Sequence, residues 1–383
     1  MPSPSSLASP RAAIMMVFAA FGTSVGALAG SMAEITRDAG VGSQALGLAI
    51  TAATLGTVTV MSSGGIIARH ASNRMILLAS LPAFALLTGI LLVSTSLPVF
   101  FAAFFLLGIT MGFTDLFMNA EGAAIEYALG RPIFSAFHGS VSLGLPVYAI
   151  LASYLSAKTG TWATAICVVL PFALAWTMVY RLVPPRPLAF GRSARIAALP
   201  NKMPLLLLGL AGGLIMAGEM AAIMWSAKLL DEQAPSLAAI AGLGAAFFGL
   251  CNAAVRLPGD RLRARLGELP LMMGFLLVAA AGFAALGLSH NFALSVAAFA
   301  TVGFGTALQI PCVFALAAAY VPANRAAGIS FVSMIAGLPR TLAPWVFGWI
   351  AGVTGIGRAF GLYAGIMCLA LLTIVMLRRR RAG

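Results

Sequence analysis

Long apolar runs, broken at intervals by a few Gly, Pro, Arg or Asn residues, account for most of this 383-residue chain. They cover residues 12–36, 43–68, 74–95, 98–129, 133–156, 162–183, 203–229, 238–258, 268–289, 292–321, 325–354 and 358–378. Each matches or exceeds the ~20 residues that a helix needs to cross the hydrocarbon of a bilayer. Period-two alternation is absent, which argues against strands and a membrane barrel. The pattern predicts an all-α integral membrane protein with twelve transmembrane helices. One polar connection is long, Pro184 to Lys202, rich in Pro and Arg. It separates an N-terminal six-helix bundle (1–183) from a C-terminal one (203–383), with 184–202 as a central cytoplasmic loop.

Composition sharpens this picture. The chain is 61% hydrophobic and 9% charged, with a mean hydropathy of +1.01. Water-soluble domains carry about 25% charged residues, so this chain has too few to hydrate a surface. The net charge of +13 invites a nucleic-acid reading, but the basic residues sit in short turns between apolar runs and argue against one. With both termini cytoplasmic, 18 of the 23 Lys and Arg residues fall on the inner side, four on the outer side, and Arg340 inside a span. That bias fits the positive-inside rule and points to the inner (plasma) membrane. The lipid bilayer is thus a partner, nucleic acid is not, and a monomer is expected. Cys167, Cys251, Cys312 and Cys368 lie within apolar runs without CxxC spacing and read as small core residues. His70, His138 and His290 are scattered, so no metal site is expected. HExxH and GxSxG are missing, which argues against an enzyme.

The turns after helices 2 and 8 echo each other: Gly65 to Arg74 in one half, and Arg256-Leu-Pro-Gly259-Asp260-Arg261 in the other. Twelve spans, a central loop and paired basic turns resemble the major facilitator superfamily, whose signature here is Gly-x-x-x-Asp-Arg-x-Gly-Arg-Arg. The second copy keeps Asp260-Arg261, whereas the first places Arg69 where the acid belongs. Further motifs narrow the resemblance. They are Asp115-x-x-Met118-Asn119, Glu126, Gly130-Arg131-Pro132, Phe137-His138-Gly139, Gly218-Glu219, Trp225-Ser226-Ala227 and Gln309-Ile310-Pro311. These look like the MosC/YbjJ-type group and, more distantly, fucose-permease-like sugar transporters. The resemblance implies two parallel six-helix pseudo-repeats and places helices 1, 4, 7 and 10 along a central cavity.

Three charged residues fall at mid-depth: Asp115, Glu219 and Arg340. On a lenient insertion scale each costs about 2.5–3.5 kcal/mol at the bilayer centre, so each requires a partner or water. At about 100° per residue, Asp115, Asn119 and Glu126 share one stripe, and Glu121 points elsewhere. Asp115, Asn119, Glu219, Arg340, Gln309 and Asn252 are the expected solute and proton pathway. An equally open alternative for the amides is interhelical hydrogen bonding worth about 0.6 kcal/mol each, and for Arg340 a static bridge to an acid. Glu126, Arg131, His138, Arg69, Arg74, Arg256, Asp260 and Arg261 form the expected cytoplasmic gate. Gly22, Gly26 and Gly30 give helix 1 a close-packing face; Pro146, Pro311, Pro339 and Pro344 mark bends; Trp162 and Trp225 read as interfacial anchors.

The expected function is secondary active transport of a small polar solute (a sugar, polyol or inositol derivative) by alternating access. No cofactor is expected, and the proton is the coupling ion. The alternative is a proton-coupled drug or multidrug exporter of the same fold.

Overall fold

The computed structural model describes residues 8–67, 71–130, 133–184, 202–322 and 325–382. Within them the apolar runs are helices, because a chain that meets no water must satisfy its backbone within each segment. In the first half these are α1 (Ala8–Asp38), α2 (Ser43–Ile67), α3 (Asn73–Leu92), α4 (Leu97–Leu129), α5 (Phe134–Thr159) and α6 (Thr161–Leu182). The second half begins with α7 (Lys202–Met224), α8 (Ser226–Gln233), a 3-10 turn (Pro235–Ile240), α9 (Leu243–Arg256) and α10 (Gly259–Leu266). It ends with α11 (Glu268–Leu288), α12 (Phe292–Thr306), α13 (Gln309–Tyr320), α14 (Arg325–Thr354) and α15 (Ile356–Ala382). Among the described residues there are no strands, and twelve helical segments are long and apolar enough to span a membrane. The eighth span joins the 3-10 turn to α9, and the tenth is built from α12 and α13. Most of the central connection, residues 185–201, lies outside the described residues.

Two units are formed. The first comprises Met1–Gly42, Ala52–Gly191 and Ser236–Ala246; the second comprises Ser43–Thr51, Arg192–Pro235 and Phe247–Gly383. Within the first, α1 packs on α5 and α6, and α3 packs on α4 and α6. Within the second, α7 packs on α14 and α15, and α11 packs on α12 and α15. The same pairing order therefore recurs in both units, as the echoing turns predicted.

Small residues set these contacts. Gly22, Gly26 and Gly30 each face a backbone carbonyl of α5, those of Val141, Leu145 and Ala149, and an added Cβ would land on it. On α7, Gly209 and Gly213 stand in the same relation to α14, against Val332, Ile335 and Ala336. Close backbone approach of this kind gives dispersion contact where lipid supplies no hydrophobic drive. The expectation that the helix 1 glycines serve packing holds.

Two sequence expectations need correction. Trp225 is not an interfacial anchor. Its side chain is fully buried, with its ring 4.7 Å from that of Phe347, inside an aromatic cluster that includes Phe283, Phe299, Phe360 and Tyr363. The helix barely pauses after it, so the tryptophan is carried inward rather than held at the water boundary. Cys368 is not a core residue but exposed, on the outward face of α15; Cys312 is buried, and Cys167 and Cys251 are intermediate.

Candidate functional site

The tenth span is interrupted, and its sequence explains why. Residues 303–311 read Gly-Phe-Gly-Thr-Ala-Leu-Gln-Ile-Pro. The Ala307 N–H turns back to Phe304 O at 3.4 Å, a tightened turn that leaves Gly303 O without its usual helical donor. Pro311 has no N–H to offer Ala307 O. Three carbonyls at the break are thereby open to side chains. Asn252 Nδ2 donates to Gly303 O (3.2 Å), Gln309 Nε2 to Gly305 O (3.2 Å) and Arg256 Nε to Ala307 O (3.0 Å). Asn252 and Arg256 are one turn apart on α9, so a single helix face delivers both.

The same two side chains reach Glu219 on α7. Asn252 Nδ2 lies 3.3 Å from Glu219 Oε1 and Arg256 Nη2 lies 3.8 Å from the same oxygen. The Thr306 hydroxyl, at the last turn of α12, accepts from Asn252 at 3.4 Å and so joins the same cluster. Arg340 on α14 acts on Glu219 through space, more weakly than Arg256 does. Glu219 is largely buried, its side chain 17% exposed against 41% for Arg256, so the pair stands at the edge of the unit's interior. A carboxylate on α7 paired with a guanidinium, beside a broken helix whose open carbonyls are met by side chains, is an arrangement able to bind polar solutes and ions at membrane depth.

The sequence-selected residues divide accordingly. Glu219, Asn252 and Arg340 come together as a group of the second unit. Arg256, expected at the gate, also contacts Glu219 and joins this group. Gln309 is fully buried and bonds Gly305 O and Met272 O at 3.2 Å, which makes it a helix-to-helix tie. Asp115 and Asn119 lie in the first unit as an i,i+4 pair, with Asn119 Nδ2 donating to Asp115 Oδ1 at 2.8 Å. Glu126, on the same α4 stripe, accepts from Ile133 N at 2.7 Å and so fastens the turn after α4, which Gly130 ends in a left-handed conformation. Arg74 donates to Tyr180 O at 2.7 Å with its guanidinium 5.3 Å above the Tyr180 ring, so it ties α3 to α6. His138 is exposed near the start of α5, its ring edge-on to Phe18. Arg261 is exposed on α10. Arg69, Arg131 and the Asp260 side chain lie outside the described residues.

Sequence reasoning missed two features. One is Thr306, which no motif marks. The other is the contact between Asn73 and Glu121, where Asn73 Nδ2 donates to Glu121 Oε2 at 2.9 Å. Among the described residues, no group of three or more His, Cys, Asp or Glu side chains suits a metal ion.

Comparisons with known proteins agree with this architecture. The model of the Major Facilitator Superfamily matches residues 207–383. An uncharacterized transporter of Sinorhizobium fredii, y4wD, is 30% identical over 291 residues, covering 71% of this chain and 73% of that protein. The membrane protein MosC of Rhizobium meliloti is 26% identical over 344 residues, 88% of this chain and 83% of its own length. An uncharacterized MFS-type transporter of Yersinia pestis is 28% identical over 365 residues, 90% and 88% of the two chains. Among solved structures, a mutant of the nucleoside transporter NupG superposes with a TM-score of 0.79 at 15% identity, covering 97% of this chain and 99% of that one. A bacterial homologue of the human lysosomal transporter Spinster gives 0.76 at 13% identity, covering 99% and 98%.

Proposed function

The chain belongs to the Major Facilitator Superfamily, and from that premise we propose that it is a secondary active transporter of a small hydroxylated solute, driven by protons. The observation that carries the proposal is Glu219, held beside a helix break by Asn252 and Arg256.

In this reading Glu219 takes either a proton or a hydroxyl of the solute. Arg256 already spends one nitrogen on Ala307 O and another on Glu219, so protonation of Glu219 frees only the second contact. The guanidinium then turns to the solute or to the backbone of the break. Arg340 supplies a second, more distant positive charge to the group. Asn252 and Thr306 offer the neutral donors and acceptors that suit hydroxyl groups. In the first unit, the Asp115–Asn119 pair contributes a second polar patch of the same chemistry. The protein works by alternating access, as a monomer, in the inner membrane with both termini cytoplasmic.

A thermal-shift screen of purified protein against sugars, polyols, inositols and nucleosides tests the substrate class. Nucleosides join the screen because NupG, which shares the fold, is named a nucleoside transporter. Stabilisation by one class that disappears in Glu219→Gln supports the reading. Stabilisation by lipophilic cations alone, together with resistance to them on overexpression, supports a drug exporter instead.

A further inference from the structure

Glu121 is the most enclosed carboxyl group of the first unit, 3% exposed, and the transport reading leaves it unused. It sits on α4 against the first turn of α3. Asn73, itself 8% exposed, donates to Oε2, while Glu121 Oε1 and Asn73 Oδ1 are buried acceptors with no hydrogen-bond partner. Two side chains joined by one hydrogen bond therefore share two oxygens that nothing satisfies.

A buried acceptor without a donor costs about 1–3 kcal/mol, and more when charged. The positive end of α3 offsets part of this, since Asn73 is the first residue of that helix. It does not give Oε1 or Oδ1 a partner. Nor does any cation among the described residues. At the end of the unit where α1, α3 and α5 begin and α4 and α6 finish, the charged or titratable groups among the described residues are Arg11, Arg74, Glu126, Tyr127, His138, Tyr180 and Arg181. Arg74 is turned onto Tyr180, Glu126 accepts from Ile133, and α2 carries no charged residue between Ser43 and Ile67. One turn pair deeper, Thr114 donates to Ser80 at 3.1 Å, so at that level of the α3–α4 seam the facing polar side chains satisfy each other.

We propose that Glu121 and Asn73 form a binding site for a small monovalent cation, separate from the Glu219 group. Oxygen donors and an enclosed carboxylate suit a sodium ion. Occupancy would close the seam between α3 and α4, and vacancy would loosen it.

The test is melting of the full-length protein in nanodiscs, wild type beside Glu121→Gln. One arm exchanges choline chloride for sodium chloride at constant ionic strength and pH 8. The other lowers the pH from 8 to 5 without sodium. A ligand bound only by the folded protein raises the melting temperature with its concentration. The expected result is a rise of several degrees in the sodium arm for wild type and none in Glu121→Gln. A rise in the sodium arm identifies the ion as sodium, and a rise in the pH arm alone overturns the proposal. No rise in either arm, or the same rise in Glu121→Gln, overturns the proposal. If Glu121→Gln does not yield folded protein, Asn73→Asp replaces it. That variant should steepen the cation dependence; an equal loss of stability under all conditions overturns the site. No transport substrate is needed, so the outcome stands apart from the Glu219 reading.

Discussion

Replacing Pro311 by Ala isolates what the helix break contributes. The new residue has an N–H that can donate to Ala307 O, so α12 and α13 can join into one continuous helix. Proline in a helix interior costs about 3 kcal/mol relative to alanine, and this is the most the variant can gain. Against it stands the displaced bond from Arg256 Nε to Ala307 O, 3.0 Å long, to which a charged donor gives about 1.5–3 kcal/mol. The two nearly cancel, so the net change in stability should stay within about 1.5 kcal/mol. Function should not stay level. With its backbone acceptor gone, Arg256 is free to close fully on Glu219, and the variant should lose solute-driven exchange in proteoliposomes while melting near the wild-type temperature. Hydrogen exchange at residues 303–311 supplies the structural readout, since joined helices protect those amides. A variant that gains this protection and still exchanges solute at the wild-type rate would refute the argument that the break matters.

Other outcomes follow from single contacts. Trp225→Ala empties a fully buried site beside Phe347 and should cost about 3–5 kcal/mol, read as a lowered melting temperature. Gly26→Val drives a side chain into the Leu145 backbone and should cost at least about 1–3 kcal/mol, visible as poor folded yield from membranes; Gly139→Ala, which meets nothing, serves as control. Glu232, on α8 outside the spans, has its carboxyl raised above the ordinary 4.5, first by burial, with Lys228 opposing and Asp231 adding. An acid that holds its proton more tightly when folded lowers stability as pH rises from its unfolded value through the shifted one. Glu232→Gln should therefore melt closer to wild type at pH 4 and above it at pH 7, and a constant difference between the two proteins would contradict this.

The number and lengths of the spans were legible because lipid forces ~20 apolar residues into each helix, whatever the residues are. The α1 glycines were legible for a related reason, since only small residues allow that approach to α5. Glu219 and Asn252 stood out by depth alone. What the sequence concealed were partners from other helices. Gly303, Gly305 and Pro311 signal a weak point in the tenth span, but nothing local says that Arg256 supplies the missing donor. Arg256 was grouped with the exposed basic turn it precedes, and nothing local shows that its long side chain reaches back to Glu219. Trp225 lies at the end of an apolar run, where an anchor is normal, and only the aromatic cluster around it shows why it is buried. Glu121 fell off the Asp115 stripe, and its burial depends on α3, which a reading of α4 by itself does not see.

The central claim is that Glu219 couples proton movement to solute movement. Its most direct measurement compares wild type with Glu219→Gln in proteoliposomes, using whichever solute the thermal-shift screen returns. The account expects the wild type to accumulate that solute when a pH gradient is imposed, and the variant to exchange it at equal concentrations without accumulating it. Gradient-driven accumulation by Glu219→Gln at the wild-type level would contradict the account.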